Sequence, residues 1–179
     1  MTTEHVAALK GMALCHALSA TELEAVAAIV EPRQIAAGED LFREGGPGDG
    51  LFLVVSGEIN VIKRGAAGEH SLARLGAGSV LGEMSLVTAE ARSATGRALV
   101  DTLALFLPAA RFRALLQADS IAAHKMVAAI AEVLARRLAT MNGMALQLAE
   151  KPGPVGAERS PLKTQDLAAL HRTMQVWSF

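Results

Sequence analysis

A chain of 179 residues is the size of one domain with a short appendage, and is too small for two full ones. With 51% apolar and 20% charged residues it folds, and 17 basic against 18 acidic side chains give no general electrostatic basis for binding nucleic acid or an anionic membrane. Five Phe, one Trp and no Tyr argue against a stacking platform for single-stranded nucleic acid.

The lone Cys15 excludes an internal disulfide, and the N-terminus lacks the basic-then-apolar pattern of a secretion signal. The longest apolar stretch is interrupted by Lys125, Glu132, Arg136 and Arg137, short of the roughly 18 residues that a spanning helix needs. The expectation is a cytoplasmic protein without a membrane span. His5, His16, His70, His124 and His171 are scattered with no zinc-ligand spacing, so no metal is expected.

In chain order, residues 1–31 read as a helical segment. Ser19 followed by Glu22 is a capping box, Leu23, Val26, Ile29 and Val30 share a face, and Glu31-Pro32 marks the exit. Residues 32–108 change character. Glycines at 38, 45, 46, 48, 50, 57, 65, 68, 76, 78, 82 and 96 separate strand-like pieces around Leu51–Val55, Ile59–Ile62 and Thr102–Leu107, the spacing of a sandwich or barrel.

Within that region Leu75-Gly-Ala-Gly-Ser-Val-Leu-Gly-Glu-Met-Ser-Leu leads to Arg92-Ser93-Ala94-Thr95. The glycine-rich turn feeds a helical start at Gly82, where backbone N–H groups without helical acceptors favour an anion. Arg92 presents a fork of donors that matches two phosphate oxygens, and the Glu83 carboxylate accepts from a ribose hydroxyl as acidic residues do in other nucleotide sites. An anion cradle beside a sugar hook points to a nucleotide.

Residues 109–149 read as a short hinge helix, Ala109 to Gln117, followed by a long helix capped by Asp119 or Ser120 and running to about Leu148. Its apolar positions Val127, Ile130, Leu134, Leu138, Met141 and Leu148 step by three, four or seven, the spacing of a coiled-coil seam, so the helix can pair with a second copy. The alternative is that the stripe packs on its own β region, an alternative that weakens beyond Arg137. Residues 150–179 form a Pro/Gly-broken linker and a tail whose Leu162 to Val176 can make one more short helix.

The segment Gly82-Glu83-Met84, Leu86 and Arg92-Ser93-Ala94-Thr95 resembles the phosphate-binding cassette of cyclic nucleotide-binding domains, with Leu81 for the usual aromatic residue and Ser85 for the usual Ala. The likeness extends to Gly38–Gly45, Gly48–Gly57 and Glu58-Ile-Asn-Val and covers residues from about 12 to 140. The resemblance implies an α+β fold: an antiparallel β-roll of the double-stranded jelly-roll type, flanked by N-terminal helices and a long C-terminal helix. It implies that Glu83 binds the ribose 2′-hydroxyl and Arg92 the cyclic phosphate. Backbone amides near Gly82, Met84 and Ser85 and around Ser93 and Ala94 complete the cradle. Leu134, Arg137 and Leu138 are the candidates for capping the base, Arg137 by stacking its guanidinium.

The resulting expectation is a receptor for cAMP, favoured over cGMP, that signals by reorienting its C-terminal helix to an unidentified effector protein and forms a homodimer through that helix. It is expected to stand alone, without a helix-turn-helix domain and without direct DNA binding. The ligand is regulatory rather than a cofactor. No nucleophile or acid/base pair accompanies Glu83 and Arg92, so no catalysis is expected. The competing reading is a ligand-independent assembly module on a degenerate site, marked by Arg92 locked to Glu83.

Overall fold

The computed structural model describes residues 2–66, 68–88 and 90–150. The expected tail helix over residues 162–176, and the side chain of Leu148, lie outside the described residues. The chain divides into two compact units, Met1–Val133 and Leu134–Phe179.

The helical segment expected over residues 1–31 is made of three pieces. Helix α1 spans Thr2–Lys10, a 3-10 turn spans Ala13–Cys15, and α2 spans Ala20–Ala27. The breaks have local causes. Gly11 follows α1, and Ser19 takes extended backbone to cap α2. The expected capping box forms in full: Glu22 N–H donates to Ser19 Oγ at 3.3 Å, and Ser19 N–H donates to Glu22 Oε2 at 2.7 Å. Glu31 already belongs to a strand, because the chain turns into the sheet at the end of α2. Leu9, Leu14, Cys15, Leu23 and Val26 are buried. Burial pushes the Cys15 thiol up to about 12, which keeps it protonated and unreactive.

Eight strands follow: β1 Glu31–Ile35, β2 Asp40–Phe42, β3 Gly50–Ser56, β4 Glu58–Gly65, β5 Gly68–Gly76, β6 Val80–Leu81, β7 Thr95–Ala98 and β8 Thr102–Pro108. They form two antiparallel four-stranded sheets, ordered β1-β8-β3-β6 and β2-β7-β4-β5. Pro32, which has no N–H for a ladder, is tolerated because β1 lies at a sheet edge. The three apolar pieces separated by glycines become the bodies of β3, β4 and β8.

The two sheets meet over one apolar layer. Ile35, Phe52, Val54, Leu81, Ala104 and Phe106 of the first sheet pack with Ile59 and Ala98 of the second, joined by Leu41, Phe42, Val61 and Leu75. Every strand contributes to this layer. Alternation sends Leu51, Leu53, Leu105 and Leu107 to the opposite face of the first sheet, where they are also fully buried. That face carries helices, so β3 is apolar on both sides.

Between β6 and β7 lies α3, Glu83–Thr88; after β8 come α4, Ala109–Gln117, and α5, Ile121–Glu150. Asp119 takes a left-handed φ of 53° between α4 and α5, and Ser120 carbonyl accepts the His124 N–H that opens the long helix. Within the first unit, Ala122, Ala123, Met126 and Ile130 of α5 are buried. Lys125 Nζ meets both Glu22 oxygens, at 2.9 and 2.8 Å, tying α5 to the α2 cap. In the second unit, α5 exposes Leu138, Met141 and Leu146. No helix among the described residues is long and apolar enough to cross a membrane. The architecture is the expected α+β β-roll with flanking helices.

Candidate functional site

Arg92 is a charged side chain placed inside the roll, with only 4% of its surface exposed. Two aromatic rings line its guanidinium, Phe42 at 4.7 Å and Phe52 at 5.6 Å from ring centroid to Cζ. These rings belong to different sheets and stack on each other with centroids 5.8 Å apart. Electron-rich faces offset part of the desolvation of a buried cation. Arg92 Nη2 donates to Asp49 Oδ1 at 2.7 Å. Asp49 sits in the loop before β3 with a side chain 60% exposed, so this ion pair connects the buried cation to the surface. Burial lowers the Arg92 pKa, an effect opposed by Asp49 and then by Glu83; the guanidinium stays charged.

The backbone around Arg92 is pinned as firmly as its side chain. Gly45 N–H donates to Arg92 carbonyl and Arg92 N–H donates to Gly46 carbonyl, each at 2.9 Å. Glu44 N–H donates to Thr95 Oγ1 at 3.0 Å. The turn that follows β2 therefore serves as a backing for residues 92–95.

Glu83 opens α3 and is 3% exposed. Ahead of it, Gly82 adopts φ +77°, and a Cβ there would fall on Arg92 Nη1. The glycine is required twice, for its left-handed backbone and for the approach of the guanidinium. Gly82 and Glu83 thus converge with Arg92, nine residues beyond Glu83 in sequence, on one place. Met84 and Ser85 lie in α3, and Ser93 and Ala94 follow Arg92 into β7, with Ala94 buried. Arg137 lies on α5 in the second unit.

The arrangement offers a buried, preorganised cation with a buried carboxylate beside it, the chemistry that holds an anion next to a hydroxyl-bearing sugar. Sequence reasoning did not assign roles to Asp49, Phe42, Phe52 or Lys63, which reach the site from 30 to 50 residues away. A single acidic residue in a glycine turn carries no local signal of its partner. A separate depression lined by Gly38, Glu39, Asp40, Arg43 and Arg97 lies on the outer face of the second sheet. Its charges are already matched, Asp40 taking Arg97 at 2.7 Å and Arg43 at 2.9 Å. Among the described residues no group of His, Cys, Asp and Glu can hold a metal ion.

Comparison with known proteins identifies the family and the fold. Residues 32–119 match the family model described as cyclic nucleotide-binding domain. The chain is 35% identical over 131 residues to the Cyclic AMP receptor protein of Thermus thermophilus, covering 73% of this chain and 59% of that relative. It therefore spans less than two thirds of that relative's length. Its fold is similar to that of a cyclic nucleotide-binding domain from Methylobacillus flagellatus KT, with TM-score 0.71, 26% identity and 86% of each chain covered. It is also similar to the regulatory domain of Toxoplasma gondii PKA crystallised with cAMP, with TM-score 0.58, 27% identity, and 63% of this chain and 43% of that one covered. With a buried arginine, a buried carboxylate and a left-handed glycine meeting between two four-stranded sheets, the chain belongs, through residues 32–119, to the cyclic nucleotide-binding domain family, a family of regulatory ligand-binding domains rather than catalysts.

Proposed function

We propose that the protein is a cytoplasmic receptor for a cyclic mononucleotide, cAMP in preference to cGMP. Arg92 takes the cyclic phosphate through its donor fork, Glu83 accepts from the ribose 2′-hydroxyl, and the backbone amides of Gly82, Met84, Ser85, Ser93 and Ala94 complete the cradle. The single observation that carries this reading is Arg92: a guanidinium 4% exposed, held between two aromatic rings and beside Glu83 at 3%, is a preorganised donor fork with a carboxylate next to it. The preference for cAMP rests on the named ligand of the Thermus relative and on the cAMP held by the Toxoplasma domain. Ser93 adds a hydroxyl beside the phosphate position.

Signal output follows from differential contact. A ligand shifts a helix only if it touches the two positions of that helix unequally, and capping of the base by Arg137, Leu134 or Leu138 supplies that inequality. The reoriented α5 then presents a changed surface to an effector protein and to a second copy of the chain.

Isothermal titration of nucleotide-free protein, with cAMP and cGMP in separate runs, tests the receptor. Micromolar or tighter binding of cAMP, with weaker cGMP, is the expected result; silence with both would leave a ligand-independent assembly module. For the dimer, Met141 is 40% exposed and Leu134 lies seven residues before it on α5. The double variant Leu134→Glu, Met141→Glu is expected to halve the mass seen by light scattering, since two buried carboxylates in one seam are not tolerated. An unchanged mass would remove α5 as the dimer contact.

A further inference from the structure

Lys63 reaches out of β4 to the bend that precedes β7. Its Nζ donates to the Ser93 carbonyl at 2.7 Å and pairs with Glu44 Oε1 at 2.7 Å. Glu44 is itself held in place: its Oε2 accepts from Arg64 N–H at 3.0 Å, and its own N–H donates to Thr95 Oγ1 at 3.0 Å. The register places Ile62 opposite Thr95, so Lys63 follows alongside Ala94, and alternation along β4 gives it the same face as Ile59 and Val61.

The ammonium therefore grips one peptide group, the one shared by Ser93 and Ala94. In a trans peptide the carbonyl and the following N–H point in opposite directions, so fixing the Ser93 carbonyl toward Lys63 fixes the direction of the Ala94 N–H. A charged donor on the carbonyl also polarises the peptide and strengthens that N–H as a donor. The Lys63–Glu44 pair is about one third exposed on each side, so the ion pair itself contributes little to stability. Its value lies in placing the ammonium.

We infer that Lys63 is a positioning residue of the nucleotide site: held by Glu44, it sets the Ser93–Ala94 peptide so that the Ala94 N–H is oriented and strengthened for the phosphate. This rests on the cradle reading above, in which Ala94 is one of the phosphate donors.

The test uses the full 179-residue chain. Lys63→Met keeps the aliphatic stem and removes the donor; its cAMP affinity is expected to fall about tenfold, the scale of one charge-assisted hydrogen bond. Lys63→Arg restores a donor and is expected to return to within about threefold of wild type. Glu44→Gln keeps an amide oxygen that accepts from Lys63, so the ammonium stays on Ser93 and affinity is expected to stay within the same range. In nucleotide-free protein, the Ala94 amide proton of Lys63→Met is expected to shift upfield in a nitrogen–proton correlation spectrum, with little change in Tm. If Lys63→Met does not fold, Lys63→Gln, whose shorter arm falls away from Ser93, is read by the same affinity and the same amide signal. Wild-type affinity in Lys63→Met, or equal losses in Lys63→Met and Glu44→Gln, would overturn the inference while leaving the receptor reading intact. A wild-type protein that binds neither cAMP nor cGMP would overturn both.

Discussion

Arg92→Ala is expected to weaken cAMP binding by a factor between about 30 and several thousand, the range for removing one partner of a buried, hydrogen-bonded charge pair. The loss is large because nothing else replaces the fork. Asp49 is acidic, and Lys63 is committed to Ser93 and Glu44. Glu83→Ala is expected to lose about tenfold, since a ribose hydroxyl is neutral and water can take its hydrogen bond. Arg92→Lys retains the charge without the planar fork and is expected to fall between wild type and alanine. Stability falls as well, because Glu83, buried beside the guanidinium, loses the charge next to it, whereas Asp49, mostly exposed, returns to water. Titration calorimetry on the four proteins checks the order, and equal affinity in wild type and Arg92→Ala would refute the assignment of Arg92 to the phosphate.

Gly82→Ala is expected to be nearly as damaging to binding, at about 100-fold, although it removes no ligand contact. Two effects add. An alanine held at φ +77° costs roughly 1–2 kcal/mol in backbone strain, and its Cβ lands on Arg92 Nη1. The guanidinium has no room to yield without losing contact, because the two rings line it and Asp49 holds Nη2. The variant is expected to melt several degrees lower by differential scanning calorimetry and to bind cAMP weakly in titration. Wild-type binding in Gly82→Ala would mean that the ligand does not depend on the place of Arg92 found here.

Much of this site was legible because its signals are local. Gly82, Glu83 and Arg92 fall within eleven residues, and the apolar runs of β3, β4 and β8 are set off by glycines. The long helix and its neighbour α4 follow from periodicity, as does the capping box at Ser19. The hidden parts are those that only folding brings together. Asp49 meets Arg92 across 43 residues and Lys63 meets Ser93 across 30. The rings over Arg92 are ordinary core phenylalanines in sequence, and only the closing of the two sheets makes them a cation's lining. In the N-terminal segment the start of α2 was legible from the Ser19–Glu22 box, whereas the break after Lys10 was not, since Ala-rich composition supports helix on both sides of Gly11.

Glu22 carries a consequence for how the two ends of the first unit depend on each other. One carboxylate both accepts from Ser19 N–H at the start of α2 and binds Lys125 of α5, and these contacts, the Lys125 hydrogen bond foremost, hold its carboxyl below the usual glutamate value of 4.5. Its contribution to stability is therefore complete above that pH and fades as pH falls through the lower folded value. The pairing is not symmetric under exchange of charge. A lysine at position 22 with a glutamate at 125 would keep the attraction between the helices, yet an ammonium accepts no hydrogen bond, and Ser19 N–H would lose its acceptor while the salt bridge survived.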